Sequence, residues 1–489
     1  GGKTLVNEYW QSWAEKGVGS PGAKKLSAWP SNAQGAARTH DIWFMPFQGT
    51  WNEDSVRQAT LSASRPPLGV PDPEWLCSTE AMGFPMLHRD EKNFPVEEAV
   101  ISEYWKRFML PLHAFPFNGF ISWGHFPLWN YDSVGGKIMG RFHILSSNDP
   151  YGMRREPWIL YARSGERIYY EQAYKFNRFA GDWYMAHIDV PGKPGKEHGG
   201  LTYPPTEGRN LPFFWGDRTV DITYLSNDCI DWLFEYYLTG DEQARDLCLT
   251  VKEAMKERWT VEGKNNIKAH RALMALSMMD WDEEISGKAK QLTHGLIDLK
   301  SQNGVSGRDE GGYGPMYKDH RNMRNNLEYY IETGDELARQ AFLKIADQRY
   351  RFDRTYNQIG YKCYEGFTYS CAYWMTGDQR YRRIAEQTMR DALREVSSHP
   401  SVSDDLAKLP ENPLDWKNMP SYLQISACFN PFMGLPVALK MISEKGWSGR
   451  PYPLALKSMK QPHSSILFEH TKGVETRFSI YLEKNVDTP

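Results

Sequence analysis

Two hydrophobic periods divide the chain. Through its middle, apolar residues recur at helical spacing in runs that stop at a short turn and restart at once. The stretches "LYARSGERIYYEQA" from Leu160, "EYYLTGDEQARDL" from Glu235, "EYYIETGDELARQA" from Glu328 and "AYWMTGDQRYRRIA" from Ala372 share this form. In each, glycine supplies a left-handed C-cap, and the acid after it suits the positive end of the next helix. The turn glycines are Gly165, Gly240, Gly334 and Gly377, with a weaker equivalent in "MMDWDEE" around Trp281. The unit recurs about every 45 residues, which marks an α-helical repeat.

The pattern predicts helices over 96–110, 152–163, 166–180, 222–238, 242–258, 266–279, 282–299, 319–332, 335–350, 362–375, 378–396 and 421–443. Twelve helices of alternating direction are what a closed double ring requires. The expected class is therefore mainly α, an (α/α)6 toroid of helical hairpins. An open solenoid has the same local pattern, and the absence of obvious capping repeats favours closure. Both ends switch to period two: "RTHDIWFMPFQGT" near the start and "SSILFEHTKGVETRFSIYLEKN" near the end read as strands. The organisation expected is a β-strand segment at 1–62, a toroid carrying the catalytic residues at 63–445, and a second β-strand segment at 446–489. The two terminal segments are expected to pack together as a smaller β domain.

Composition changes this picture by exclusion. A net charge of -3 without a long basic run leaves no electrostatic footprint for nucleic acid or an anionic membrane surface. The most apolar stretch, "FMLPLHAFPFNGFISWGHFPLW" from Phe108, carries prolines and histidines that a membrane span would tolerate poorly. The cysteines show neither CxxC nor zinc spacing and leave the redox compartment open. No targeting signal is legible, and no His pattern of metal-ligand spacing occurs. Serine-hydrolase, P-loop and dinucleotide signatures are also missing. Aromatic residues make up 14% of the chain, with 18 Trp and 27 Tyr, which suits stacking on pyranose faces as well as core packing.

If the short turns close one end of the ring, the long connections gather at the other. Six such segments are rich in polar and aromatic residues: "SNDPYGMRREPW", "WGDRTVDITYLSND", "GKNNIKAHR", "GRDEGGYGPMYKDHRNMRNN", "RTYNQIGYKCYEG" and "NMPSYLQ". Arginine is their recurrent charge, and its planar fork suits a carboxylate or sulfate on a sugar. The candidate substrate-binding residues are Arg154, Arg155, Trp215, Arg218, Asn227, His270, Arg321, Arg324 and Tyr364. A lone histidine more often fills a structural role. His187 stands out because Tyr184 and Asp189 flank it and a Gly-rich segment follows, and His320 lies in the longest polar connection. Paired carboxylates for glycoside hydrolysis could come from Asp217, Asp228, Asp309, Glu310 and Glu365.

The opening "NEYWQSWAEKG...KKLSAWPSNAQGAARTHDIWFMPF", with the helical "PWILYARSGERIYYEQAYKFNRFAGDWYMAHID" and "CIDWLFEYYLTGDEQA", resembles the exo-rhamnogalacturonan lyase and YetA-like proteins. That resemblance implies β-elimination on a uronic-acid-containing polysaccharide. Such chemistry needs a cationic clamp on the C6 carboxylate, a base for the C5 proton and an acid for the leaving oxygen. His187 and His320, or tyrosines Tyr224, Tyr313 and Tyr317 set among the arginines, are the candidates for proton transfer. The partner implied is an acidic polysaccharide or oligosaccharide in a secreted or periplasmic setting. No cofactor is required, and a divalent cation such as calcium stays open. The alternatives are an (α/α)6 glycoside hydrolase and a non-catalytic carbohydrate-binding protein.

Overall fold

The repeated turns organise the molecule, and one physical construction underlies them. The computed structural model describes residues 39–114 (except 41, 43, 45, 47, 51 and 66), 128–132, 137–143, 155–183, 228–258, 267–303, 325–350, 359–398, 431–443, 465–469 and 478–483. In chain order the elements are α1 (Glu53–Ser64), β1 (Gly69–Pro71), α2 (Pro73–Ser78), α3 (Pro95–Ala114), β2 (Leu128–Asp132) and β3 (Lys137–His143). There follow α4 (Arg155–Ser164), α5 (Arg167–Trp183), α6 (Asp228–Thr239), α7 (Glu242–Arg258), α8 (Ile267–Asp280), α9 (Glu283–Asn303) and α10 (325–333). The last are α11 (Glu336–Tyr350), α12 (Ile359–Thr376), α13 (Gln379–Ser398), α14 (Pro431–Ser443), β4 (Ser465–Glu469) and β5 (Phe478–Glu483).

Gly165, Gly240, Gly334 and Gly377 take φ values of 68–75°. Each N–H donates 2.7 Å to the carbonyl four residues back, on Tyr161, Tyr236, Tyr330 and Tyr373. The hydroxyl before each glycine, from Ser164, Thr239, Thr333 or Thr376, donates into the last helical turn. The same oxygen accepts from the N–H of the following acid at 3.2 Å. Where that acid is aspartate it caps the next helix: Asp241, Asp335 and Asp378 accept from Gln243, Ala338 and Arg380 N–H groups at 2.9 Å. The stop signal and the start signal are thus one hydrogen-bonded unit. Trp281 takes the glycine position in the fifth turn at φ 55°.

These tight turns force antiparallel hairpins, and the hairpins close into two concentric rings. On the inner ring α4 packs on α6, α6 on α8, α12 on α14, and α14 returns to α4. On the outer ring α5 meets α7, α7 meets α9, α9 meets α11, and α13 meets α3. The first helix α3 and the last helix α14 touch, which makes them the sixth pair. Burial follows the two positions. Outer α13 buries one stripe, Tyr381, Ile384, Ala385, Met389, Ala392 and Leu393, whereas inner α14 is buried on nearly every side. The (α/α)6 arrangement expected from the repeat is what the helices form.

Two features were not expected. Residues 69–90 enter the inner ring and fill its centre. Phe84 lies edge-on to Phe367 of α12 at 5.3 Å, Tyr161 of α4 donates to the Gly69 carbonyl at 3.2 Å, and Leu87 N–H donates to the Pro436 carbonyl of α14 at 3.3 Å. The other is that Glu53–Ser64 is a helix, capped by Asn52, where the 1–62 segment was expected to be strand. The described residues between 39 and 50 carry no strand either. Thr39 instead clamps the outside of the ring, donating from its N–H and hydroxyl to the Asp182 carboxylate at 2.8 and 2.7 Å. The terminal strands expected near residues 464–485 do form: β5 pairs antiparallel with β4, and on its other edge with β1. A further hairpin, β2 with β3, interrupts the region assigned to the toroid. Among the described residues no helix is long and apolar enough to cross a membrane.

Candidate functional site at the mouth of the inner ring

Because α4, α6, α8, α10 and α12 each run into a short turn, their N-terminal ends share the opposite end of the ring. Their backbone dipoles present partial positive charge there. Just inside that end lies a charged floor. Arg155, in the first turn of α4, reaches to α10, where its Nη1 donates to Glu328 Oε1 at 2.6 Å. The guanidinium is held between two rings, 5.7 Å from the Phe84 centroid and 5.1 Å from that of Phe234. Cation–π contact and burial thus fix one arginine in one pose. Glu156 and Asp231 are buried in the same helical ends, and Asn325 and Asn326 open α10. Phe84 packs beneath the guanidinium and edge-on to Phe367 of α12.

Of the residues singled out in the sequence, the structure describes the side chains of Arg155 and His270. Arg155 belongs to the floor. His270 is fully buried, and its Nε2 is 2.7 Å from Thr293 Oγ1 on outer helix α9. Thr293 gives its own proton to the Ala289 carbonyl at 2.8 Å, so the imidazole is the donor. His270 therefore ties α8 to α9. Tyr364 lies in α12, with its side chain outside the described residues. His187, Tyr224, Tyr313, Tyr317, His320, Arg154, Trp215, Arg218, Asn227, Arg321 and Arg324 lie outside the described residues. Sequence reasoning missed Glu156, Asp231 and Glu328. Glu156 was legible as an acid in the first turn of the helix predicted over 152–163, whereas Asp231 lay well inside the helix predicted over 222–238. Among the described residues no group of three or more His, Cys, Asp or Glu side chains gathers as a metal site.

No protein-family model and no characterised protein sequence matches the chain. Solved structures do resemble it. A sugar epimerase from a ruminal bacterium is 11% identical with a TM-score of 0.43, and the match covers 71% of this chain and 99% of that one. The α-1,6-mannanase of Salegentibacter sp. HEL1_6 is 15% identical, TM-score 0.39, over 71% of this chain and 99% of that one. An unsaturated glucuronyl hydrolase variant from Streptococcus agalactiae is 11% identical, TM-score 0.37, over 77% of this chain and 96% of that one.

Proposed function

We propose that the ring, within residues 63–445, is the catalytic body of a carbohydrate-processing enzyme, and that it cleaves a uronic-acid-containing polysaccharide by β-elimination. The observation that carries this reading is the mouth itself: five inner-helix N-termini around a floor where Arg155 is fixed by Glu328, Phe84 and Phe234. Positive helix ends, together with the arginines of the connections, favour an anionic ligand at the rim above this paired floor. The C6 carboxylate of a uronic acid supplies such a charge. Neutralising it acidifies the C5 proton, which is the first requirement of elimination.

In this reading the arginines of the connections, Arg154, Arg218, Arg321 and Arg324, hold the substrate charge with Asn227, while Trp215 and Tyr364 offer faces for the pyranose rings. Proton transfer falls to His187 or His320, or to Tyr224, Tyr313 or Tyr317. A base removes the C5 proton, the electron pair forms the C4=C5 double bond, and the C4–O bond breaks as the leaving oxygen takes a proton. Glycoside hydrolysis is the second reading, favoured by the buried carboxylates Glu156, Asp231 and Glu328 in the first turns of inner helices α4, α6 and α10. Purified protein incubated with polygalacturonate, rhamnogalacturonan, alginate and chondroitin tests the proposal. Ultraviolet absorbance from a conjugated double bond supports elimination, and new reducing ends without it support hydrolysis.

A further inference from the structure

The face opposite the mouth carries its own unexplained feature. Four of the five short turns place glycine at the left-handed position, and the fifth places Trp281 there at φ 55°. A bulky side chain in that conformation is strained, and such strain persists where something else gains from it. Packing is not that gain, since Trp281 is 63% exposed. Beside it stands a second open ring. Tyr237 is 54% exposed, and its hydroxyl donates to the Met278 and Met279 carbonyls at 3.2 and 3.3 Å, in the last turn of the helix that Trp281 follows.

Charged groups frame the two rings. Lys252 bonds to Asp280 and Asp282, Lys256 to Asp282, and Lys288 to Glu284. With Glu283, and with Glu332 whose charge reaches Tyr237, acids outnumber lysines around this turn. Flat rings with hydrogen-bonding groups at their edges match a pyranose chain, whose C–H faces stack while its hydroxyls seek partners. The acidic surround disfavours a uronate and leaves a neutral sugar as the match. A protein partner would need roughly 1,000 Å² of complementary surface, which two rings set among ion pairs do not offer.

We propose that Trp281 and Tyr237 form a second carbohydrate platform, on the turn face, that holds a neutral stretch of polysaccharide while the mouth acts on an acidic one. The platform rests on the carbohydrate-processing reading above, and it confines attack to chains already tethered. The test is affinity electrophoresis through gels containing galactan, xylan, hydroxyethyl cellulose or polygalacturonate, comparing the protein with Trp281→Gly. The substitution relieves backbone strain, so the variant is expected to melt no lower than the parent, and lost binding cannot be blamed on unfolding. At least one neutral polymer should retard the parent, and Trp281→Gly should weaken that association about tenfold or more. Activity on short soluble oligosaccharides should stay unchanged.

Failure to be retarded by any neutral polymer overturns the platform, as does equal retardation of both proteins. Stronger Trp281-dependent binding to polygalacturonate overturns its neutral preference. A change of oligomeric state in Trp281→Gly, read by size-exclusion chromatography, would assign the rings to a second copy of the chain instead. An active enzyme that no neutral polymer retards loses the platform alone. A Trp281-dependent binder without turnover loses the catalytic reading alone.

Discussion

Replacing Arg163 by Met probes how the ring is held shut. The guanidinium meets both oxygens of Glu98, Nη1 to Oε2 at 2.8 Å and Nη2 to Oε1 at 2.6 Å, while Nε donates to the Leu87 carbonyl at 3.0 Å. Both side chains are 2% exposed. Arg163 lies on inner helix α4, Glu98 on outer helix α3 and Leu87 on the segment filling the ring, so one side chain joins three layers. Methionine keeps most of the volume and removes the charge. Glu98 then retains the Asp90 N–H at 3.1 Å but has lost its enclosed counter-charge. Breaking a buried pair from one side costs roughly 3–5 kcal/mol, and the orphaned Leu87 carbonyl adds roughly 1–3 kcal/mol. A loss of about 4–6 kcal/mol is expected, since the neighbours relax in part. Adding Glu98→Gln to Arg163→Met should recover part of it, because no uncompensated charge remains. Urea unfolding followed by circular dichroism reads both as midpoint shifts at constant slope. A single variant within about 1 kcal/mol of the parent, or a double variant no better than the single, refutes the reasoning.

Glu235 is pushed up to about 7 by burial, against the pull of Arg178 and of the Asn177 amide that donates to it at 2.8 Å. Its folded-state value lies above the ordinary 4.5, so stability falls as pH rises from about 4.5 to 7 and is level above. Glu235→Gln should remove that slope and raise the melting temperature above pH 7; an unchanged slope contradicts the assignment. At Gly366 an added Cβ would lie 2.5 Å from Thr388 Cγ2 and 2.9 Å from its Cβ, so Gly366→Ala should cost about 1–3 kcal/mol by forcing α12 from α13. Gly181→Ala meets the flexible end of Leu247 at 2.6 Å and should cost less in the same melting assay. His187→Ala should lower turnover roughly 10²- to 10⁴-fold without lowering the melting temperature if His187 moves the proton. Arg218→Ala and Arg321→Ala should each lose about 2–5 kcal/mol in kcat/KM, and normal turnover in both would remove them from the site.

The repeat was legible because each turn writes its chemistry locally. Hydroxyl, glycine and acid are adjacent in sequence, and their hydrogen bonds close within a few residues. Helices α4 to α13 therefore end close to where periodicity put them, and all but α6 and α10 begin there too; the starts expected at 222 and 319 lie outside the described residues. The filling of the ring by residues 69–90 was not legible, since Val70, Phe84 and Leu87 are buried by helices far away in the chain. The charged floor was hidden by register. Glu235 and Glu328 both open an "EYY" run, yet Glu235 stands five residues before its turn glycine and Glu328 six. That one-residue offset rotates the side chain by about 100°. Glu235 accordingly faces Arg178 on outer helix α5, and Glu328 faces Arg155 within the ring. The β2–β3 hairpin did carry a signal, Gly135-Gly136 between two aromatic and β-branched runs, which the helical period around it obscured.

The most direct test of elimination at the ring's mouth is a single time course on an acidic polysaccharide that the protein degrades, with ultraviolet absorbance and reducing ends measured on the same samples. Elimination predicts one conjugated double bond for each chain cleaved, in constant ratio from the first points onward. Reducing ends that accumulate without ultraviolet absorbance would contradict it and assign the buried carboxylates Glu156, Asp231 and Glu328 to hydrolysis.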